Sequence, residues 1–148
     1  MSSDPNISFF KIISPIDKDL PAFLSSYEKP FFSIVRSEML KTKLQVQHAY
    51  RISMEEYGFQ SKIEKPESIF LMLMSGMDQI KDAIKIAGID GTVKSGAAIY
   101  DDRNHYRRFL MKYEGKVMES FMPLKDDDRS MDSEIFPKMT YTRMKIRI

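Results

Sequence analysis

Residues 66–89 combine an uninterrupted apolar run with an amphipathic segment, and this stretch limits the possible folds more than any other part of the chain. Six successive apolar residues occupy positions 69–74, which predicts a short helix buried on nearly all sides. Gly76 can adopt the left-handed conformation that ends a helix, and Ser75 with Asp78 resembles a capping box for the next one. The stretch therefore predicts a helical hairpin. Its second helix has apolar residues at helical spacing before Gly88, which predicts that they are core residues, namely Ile80, Ala83, Ile84 and Ala87.

The rest of the chain predicts strands and helices in mixed order. Four strands are predicted at residues 7–13, 31–36, 97–100 and 116–122. Further helices are predicted at residues 17–26, at 38–57 after a Ser37 cap, after Asp101 or Asp102 as cap, and at 131–136. Residues 140–148 alternate between apolar and polar and predict a fifth strand.

These elements are linked too irregularly for a repeating βαβ unit. They predict an α+β fold with a mostly antiparallel sheet of about four to five strands, packed with helices that include the central buried hairpin. A length of 148 residues favours a single domain over residues 1–148.

Composition narrows the class of protein. With 43% hydrophobic and 30% charged residues, and no apolar run near the length of a membrane span, we expect a soluble globular protein without a membrane partner. The first residues lack the pattern of a signal peptide, and the absence of cysteine agrees with a cytoplasmic location. A formal net charge of +2 does not by itself indicate nucleic-acid binding.

No motif for catalysis, a cofactor or a metal is present. Gly-rich phosphate loops and Gly-x-Ser-x-Gly are absent. His48 and His105 lie on different predicted helices without a second ligand at helical spacing. Asp126, Asp127 and Asp128 lack a glutamate at EF-hand spacing, which favours a solvated loop.

Positive charge is concentrated in two places. Arg103, Arg107, Arg108 and Lys112 lie on the outer surface of one predicted helix. On the predicted fifth strand, Arg143, Lys145 and Arg147 share one face. Such clusters can bind phosphates or can be solvated surfaces, and the charge pattern leaves both readings open.

The segment at residues 75–84, followed by Gly88 and Ile89, resembles the signature of the kinase-binding subunit of the KEOPS tRNA-modification complex. That signature reads small-Gly-x-Arg-Gln-Ile-x-x-Ala-Ile-x-x-x-Gly. A helix with His48 and Ala49 before the apolar run, and residues 98–102 before a helix, also follow the family's order, so the resemblance covers residues 7–138. The chain departs from the pattern at three places. Asp78 replaces an arginine, Ile69 replaces a glutamate, and the C-terminal region is shorter between Met139 and Thr140.

The resemblance implies a non-catalytic adaptor. It would bind the protein kinase subunit of the complex and help to recruit tRNA, through its single-stranded CCA end, for threonylcarbamoylation of the adenosine next to the anticodon. The Gly76 break would offer backbone donors to a phosphate, and Gln79 could bind a base edge. A general RNA-binding module without a kinase partner is the alternative, and a small enzyme is a more distant one.

Two groups of candidate residues follow. The RNA-binding candidates are Gly76, Gln79, Ile80, Lys81, Ala83, Lys85, Gly88, Arg143 and Lys145. The candidates for the kinase contact are Phe136, Met139, Tyr141, Met144 and Ile146.

Overall fold

The computed structural model describes residues 4–14, 31–57, 65–89 and 93–147, so the helix predicted at residues 17–26 lies outside the described part. The described residues form four strands and five α-helices. The strands are β1 (Asn6–Ile12), β2 (Phe32–Arg36), β3 (Ser95–Tyr100) and β4 (Val117–Ser120). The helices are α1 (Lys43–Tyr57), α2 (Pro66–Ser75), α3 (Ile80–Ala87), α4 (Arg103–Lys112) and α5 (Arg129–Arg147). None of these helices is long and apolar enough to cross a membrane.

The four strands form one sheet in the order β2-β3-β1-β4. All three pairings are antiparallel, and β1 lies between β3 and β4. The α+β fold class and the antiparallel sheet predicted from the sequence are confirmed.

The described residues divide into two compact units. The first comprises those within Met1–Ser37 and Ile89–Met122 and contains the sheet and α4. The second comprises those within Glu38–Gly88 and Pro123–Ile148 and contains the other four helices. A single domain over the whole chain stays a prediction.

The core of the first unit is an aromatic cluster between α4 and the sheet. Phe109 lies at its centre, with ring centroids 5.0 Å from Phe10, 5.3 Å from Tyr113 and 6.1 Å from Phe32. Asp102 caps α4, as predicted, because its Oδ1 accepts from the backbone N–H of Asn104 at 2.9 Å. The residues that complete the cluster are Ile34, Ala98, Tyr100, Tyr106 and Val117.

In the second unit, α2 is buried on most sides and packs against both α1 and α3. The predicted helical hairpin is therefore confirmed. The helix predicted over residues 38–57 is instead a short 3-10 turn, Ser37–Met39, followed by α1. The start of α1 is decided by Thr42, whose Oγ1 accepts from the N–H of Gln45, while the Gln45 side chain accepts from the N–H of Lys41 at 2.7 Å.

The buried side of α1 also differs from the prediction. Leu44, Met54 and Tyr57 keep the helical spacing of apolar residues that predicts a buried side, but these three side chains are exposed. Three of the buried residues are polar, and the hydrophobic pattern does not indicate them. The buried residues of α1 are Gln45, Val46, Ala49, Ile52, Ser53 and Glu56.

The predicted fifth strand is wrong, because residues 140–147 belong to α5. The buried residues of this helix are Asp132, Met139, Thr142 and Ile146, which recur at helical spacing. Pro137 lies inside α5 and removes one backbone donor. Packing of α5 against α1 and α2 outweighs that loss.

The aspartate run lies directly before α5. Asp128 Oδ1 accepts from the N–H of Met131 at 3.1 Å, and Asp132 Oδ2 accepts from the N–H of Asp128 at 2.9 Å. Asp126 forms an ion pair with Lys43 at 3.2 Å. No cluster of potential metal ligands occurs among the described residues.

Candidate functional hairpin

The turn between α2 and α3 is built on Gly76. This residue has φ 78° and ψ 12°, and its N–H donates to the carbonyl oxygen of Met72 at 2.8 Å. A Cβ at Gly76 would meet no atom within 4 Å, so a substitution would be disfavoured by backbone strain alone. The predicted left-handed end of the first hairpin helix is confirmed.

The predicted capping box for α3 is wrong. Ser75 Oγ donates to the carbonyl oxygen of Met72 and accepts from the N–H of Met77, both at 3.2 Å, so it is engaged within the turn. The N-cap residue of α3 is Gln79, which makes no side-chain cap. The first N–H groups of α3 therefore have no side-chain acceptor from the cap.

The solvent side of α3 carries two lysines, one aspartate, Asp82, and one isoleucine. Lys81 and Lys85 are exposed, and Ile84 is 51% exposed, although the sequence predicted it to be a core residue. The reason is the width of the buried side, since only Ala83 and Ala87 of α3 are buried. Ile84 lies one residue beyond Ala83, which turns its side chain about 100° around the helix axis.

The other signature residues differ in how far they are exposed to solvent. Gln79 is exposed and Ile80 is half-buried at the start of α3. Ala83 is 0% exposed, so its side chain contacts protein atoms rather than a ligand. Gly88 is also buried, and a Cβ there would approach the carbonyl oxygen of Ile84 to 2.5 Å. The structure thus gives these last two candidates a packing role.

A cavity of about 420 Å³ borders the turn within the second unit. Ser75 and Gly76 line one part of it, and Lys41, Glu134 and Lys138 contribute charge among mainly apolar neighbours. Its volume is typical of sites that hold small ligands or parts of larger ones. The sequence did not predict this cavity, because its lining comes from segments that are far apart in the chain.

Arg143, a predicted RNA contact, forms ion pairs instead of lying on an open strand face. Its Nε donates to Oε1 of the fully buried Glu56, and its Nη2 lies 3.1 Å from Oε2 of Glu55. Lys145 is exposed and lies over the ring of Tyr141, 4.8 Å from its centroid. The predicted common basic face of the C-terminal segment is therefore wrong.

The five kinase-contact candidates are all on α5, but they do not share one side of it. Met139 and Ile146 are buried, whereas Tyr141 and Met144 are 60% and 63% exposed. The fifth, Phe136, is half-buried and packs against His48 with ring centroids 4.5 Å apart and the rings tilted by 32°. Two of the five side chains thus remain broadly accessible to a partner.

Both histidines have environments that favour the neutral form. Burial lowers the pKa of His48 below its usual value of 6.5, and the charges of Arg51 and Arg143 lower it further. Burial likewise lowers the pKa of His105; the Asp102 carboxylate opposes this shift, and the charge of Arg108 adds to it. The two histidines belong to different units, and neither lines the cavity.

These shifts predict that the protein loses stability as the pH falls below about 6.5. In that range the unfolded chain binds protons at His48 and His105 more readily than the folded chain does. Replacing His48 with glutamine should reduce the loss, which urea denaturation between about pH 7.5 and pH 5.5 would measure. Asp128 does not contribute to the loss of stability in this pH range, since hydrogen bonds from the N–H of Met131 and from Lys125 lower the pKa of its carboxyl below its usual value. An unchanged pH dependence in His48→Gln would contradict the assignment.

The other basic cluster is confirmed as a surface feature. Arg103, Arg107, Arg108 and Lys112 are all exposed on α4, in the first unit. This helix contains no acidic residue. The hairpin and the α4 surface are therefore two separate candidate sites.

No protein-family model matches this chain, and no curated protein matches its sequence. A functional proposal therefore rests on the hairpin signature at residues 75–88 and on the side chains around it.

Proposed function

We propose that this protein is a non-catalytic, cytoplasmic adaptor of the KEOPS type, which binds the small protein kinase of that complex and helps to recruit tRNA through its 3′ CCA end. The observation that carries the proposal is the solvent side of α3. There Lys81, Asp82, Ile84 and Lys85 are exposed, next to Gln79 and the Gly76 turn. These positions belong to the segment that resembles the family signature.

The chemistry of this surface suits a single-stranded RNA end. Unpaired bases offer apolar faces and free hydrogen-bonding edges, which apolar and amide side chains can contact. Ile84 supplies an apolar contact, Gln79 supplies an amide, and Lys81 supplies a charge for a phosphate. The first N–H groups of α3 add a partial positive charge at the same end of the helix.

Asp78, which stands where the family has arginine, is exposed beside Gln79. A carboxylate there repels a phosphate and would direct the RNA backbone towards Lys81 and Lys85 instead. This arrangement supports a contact that is displaced along α3 relative to the family pattern.

The partner surface proposed for the kinase is the exposed part of α5. Tyr141 and Met144 present apolar area to solvent, and Lys145 lies against the Tyr141 ring. Aromatic residues and methionine are enriched in protein interfaces. Met139 and Ile146, which are buried, hold the helix in place rather than contact a partner.

The proposal predicts that Ile84→Asp weakens tRNA binding without unfolding the protein. Because Ile84 is 51% exposed, the change should alter the free energy of unfolding by no more than about 0.5 kcal/mol. It removes an apolar contact and adds a charge that repels phosphate. The measurement is a titration with tRNA that carries or lacks the terminal CCA, together with thermal denaturation.

Met54→Asp is the matched control, since Met54 is an apolar residue of α1 that is 42% exposed. It should leave tRNA affinity unchanged. Equal affinity of the wild type for both tRNAs would reject end recognition and favour the general RNA-binding alternative. A second arm captures the tagged protein from its native cells, and the absence of a small protein kinase among the co-purified proteins would reject the adaptor role.

A further inference from the structure

The solvent side of α4 is a cationic surface that the proposed contact at α3 does not use. Arg103, Arg107, Arg108 and Lys112 are all exposed, and the helix contains no acidic residue to neutralise them. Among the described residues, none forms an ion pair with Arg103, Arg107 or Arg108. Three guanidinium groups are thus available for an external anion.

The nearest carboxylates along the chain lie at the two ends of α4. Asp102 precedes the helix, and its side chain accepts from the N–H of Asn104. Glu114 follows the helix and is exposed. His105, on the inner side of α4, is held neutral because burial lowers its pKa. The positive charge of the solvent side is therefore not balanced from within the helix.

These cations form two rows on α4, because Arg103 and Arg107 are four residues apart, as are Arg108 and Lys112. From Arg103 to Lys112 the helix rises about 13.5 Å at roughly 1.5 Å per residue. Along the axis of a DNA duplex each strand presents a phosphate about every 3.4 Å, so a nucleic-acid backbone offers several phosphates within that length. Arginine, which supplies three of the four cations, binds phosphate through two parallel N–H donors.

The same helix is poorly suited to the other common anionic partners. Its apolar residues Tyr106, Phe109 and Tyr113 are buried against the sheet, so they cannot enter a lipid surface. On the solvent side Met111, which is 75% exposed, is the one large apolar residue of α4 that solvent reaches broadly. A protein partner would need a more apolar interface core than this surface offers.

We propose that the solvent side of α4 is a second nucleic-acid contact, which binds backbone phosphates of RNA independently of base sequence and of a free 3′ end. The choice of RNA as the polyanion rests on the proposed function, but the surface belongs to the other unit of the chain.

The test uses a short blunt-ended RNA duplex, which has no single-stranded end. Log affinity of the wild type should fall as log salt rises, by roughly 0.9 for each phosphate contacted if the duplex behaves as B-form DNA does. The double variant Arg107→Ala, Arg108→Ala should bind the duplex more weakly and reduce this slope by about 1.8, because two phosphate contacts are lost. Thermal denaturation should show an unchanged melting temperature.

The matched control is Arg51→Ala, Arg129→Ala, which removes the same charge from exposed positions in the second unit. It should leave the slope unchanged. Equal effects of the two double variants would mean that net charge alone attracts RNA, and this would overturn the proposal. Binding to phosphatidylserine vesicles or polyglutamate but not to the duplex would overturn it as well.

The result can be separated from that of the hairpin. Arg107→Ala, Arg108→Ala should keep the preference for tRNA with an intact CCA end, and Ile84→Asp should keep the salt slope measured with the duplex. If Arg107→Ala, Arg108→Ala reduces the salt slope with the duplex but keeps the preference for an intact CCA end, the α4 surface contacts the RNA backbone and takes no part in recognising the end. A double variant with the full wild-type slope would reject the α4 contact and leave the hairpin proposal standing.

Discussion

Replacing Arg143 with alanine should lower the free energy of unfolding by about 3–5 kcal/mol, because the change leaves a buried carboxylate without its guanidinium. Glu56 is 0% exposed, and Nε of Arg143 donates to its Oε1. The two residues join α1 to α5, which are far apart in the chain. A buried ionised carboxylate is strongly disfavoured when its counter-charge is removed. Urea denaturation of the variant and the wild type measures the difference.

Two further variants identify the cause. Arg51→Ala removes an exposed arginine from α1 and should change stability by no more than about 0.5 kcal/mol. The double change Glu56→Leu, Arg143→Leu should recover most of the loss, because an apolar pair requires no counter-charge. If Arg143→Ala were no more destabilising than Arg51→Ala, the ion pair would not be a stabilising contact.

The same experiment bears on RNA binding, since a stable Arg143 variant with weakened binding would restore Arg143 as a contact residue.

Replacing Phe109 with alanine should destabilise the protein by about 3–5 kcal/mol through the cavity it leaves in the first unit. Phe109 is 0% exposed and lies within 5.0–6.3 Å of four other aromatic rings, measured between centroids. Its removal takes away both apolar burial and several ring contacts. Thermal and urea denaturation would measure the loss.

Met111→Ala, two residues further along α4, is the control because Met111 is 75% exposed. It should change stability by about 0.5 kcal/mol at most. Phe109→Leu should fall between the two, since it keeps apolar volume but loses the ring. A Phe109→Ala variant as stable as Met111→Ala would show that the aromatic cluster does not support the sheet.

The candidate site was predictable in part. The Gly76 turn and the hairpin could be inferred from a short segment, because a left-handed glycine and a run of apolar residues act locally. The exposure of Ile84 could not be inferred, because it depends on how much of the α3 surface the packing elements cover. Arg143 looked available for phosphate until α5 placed it beside Glu56, a residue 87 positions away in the chain.

The local sequence alone determined those elements whose conformation is strongly favoured by a few neighbouring residues. The buried run of α2, the Asp102 cap of α4 and the central strands β1 and β3 are of this kind. Only the tertiary structure decided the C-terminal segment, where an alternating pattern favoured a strand but packing against α1 and α2 makes a helix that contains Pro137. The physical reason is that an alternating pattern shows only which residues are apolar enough to be buried. The elements that pack against a segment decide which of those residues are buried.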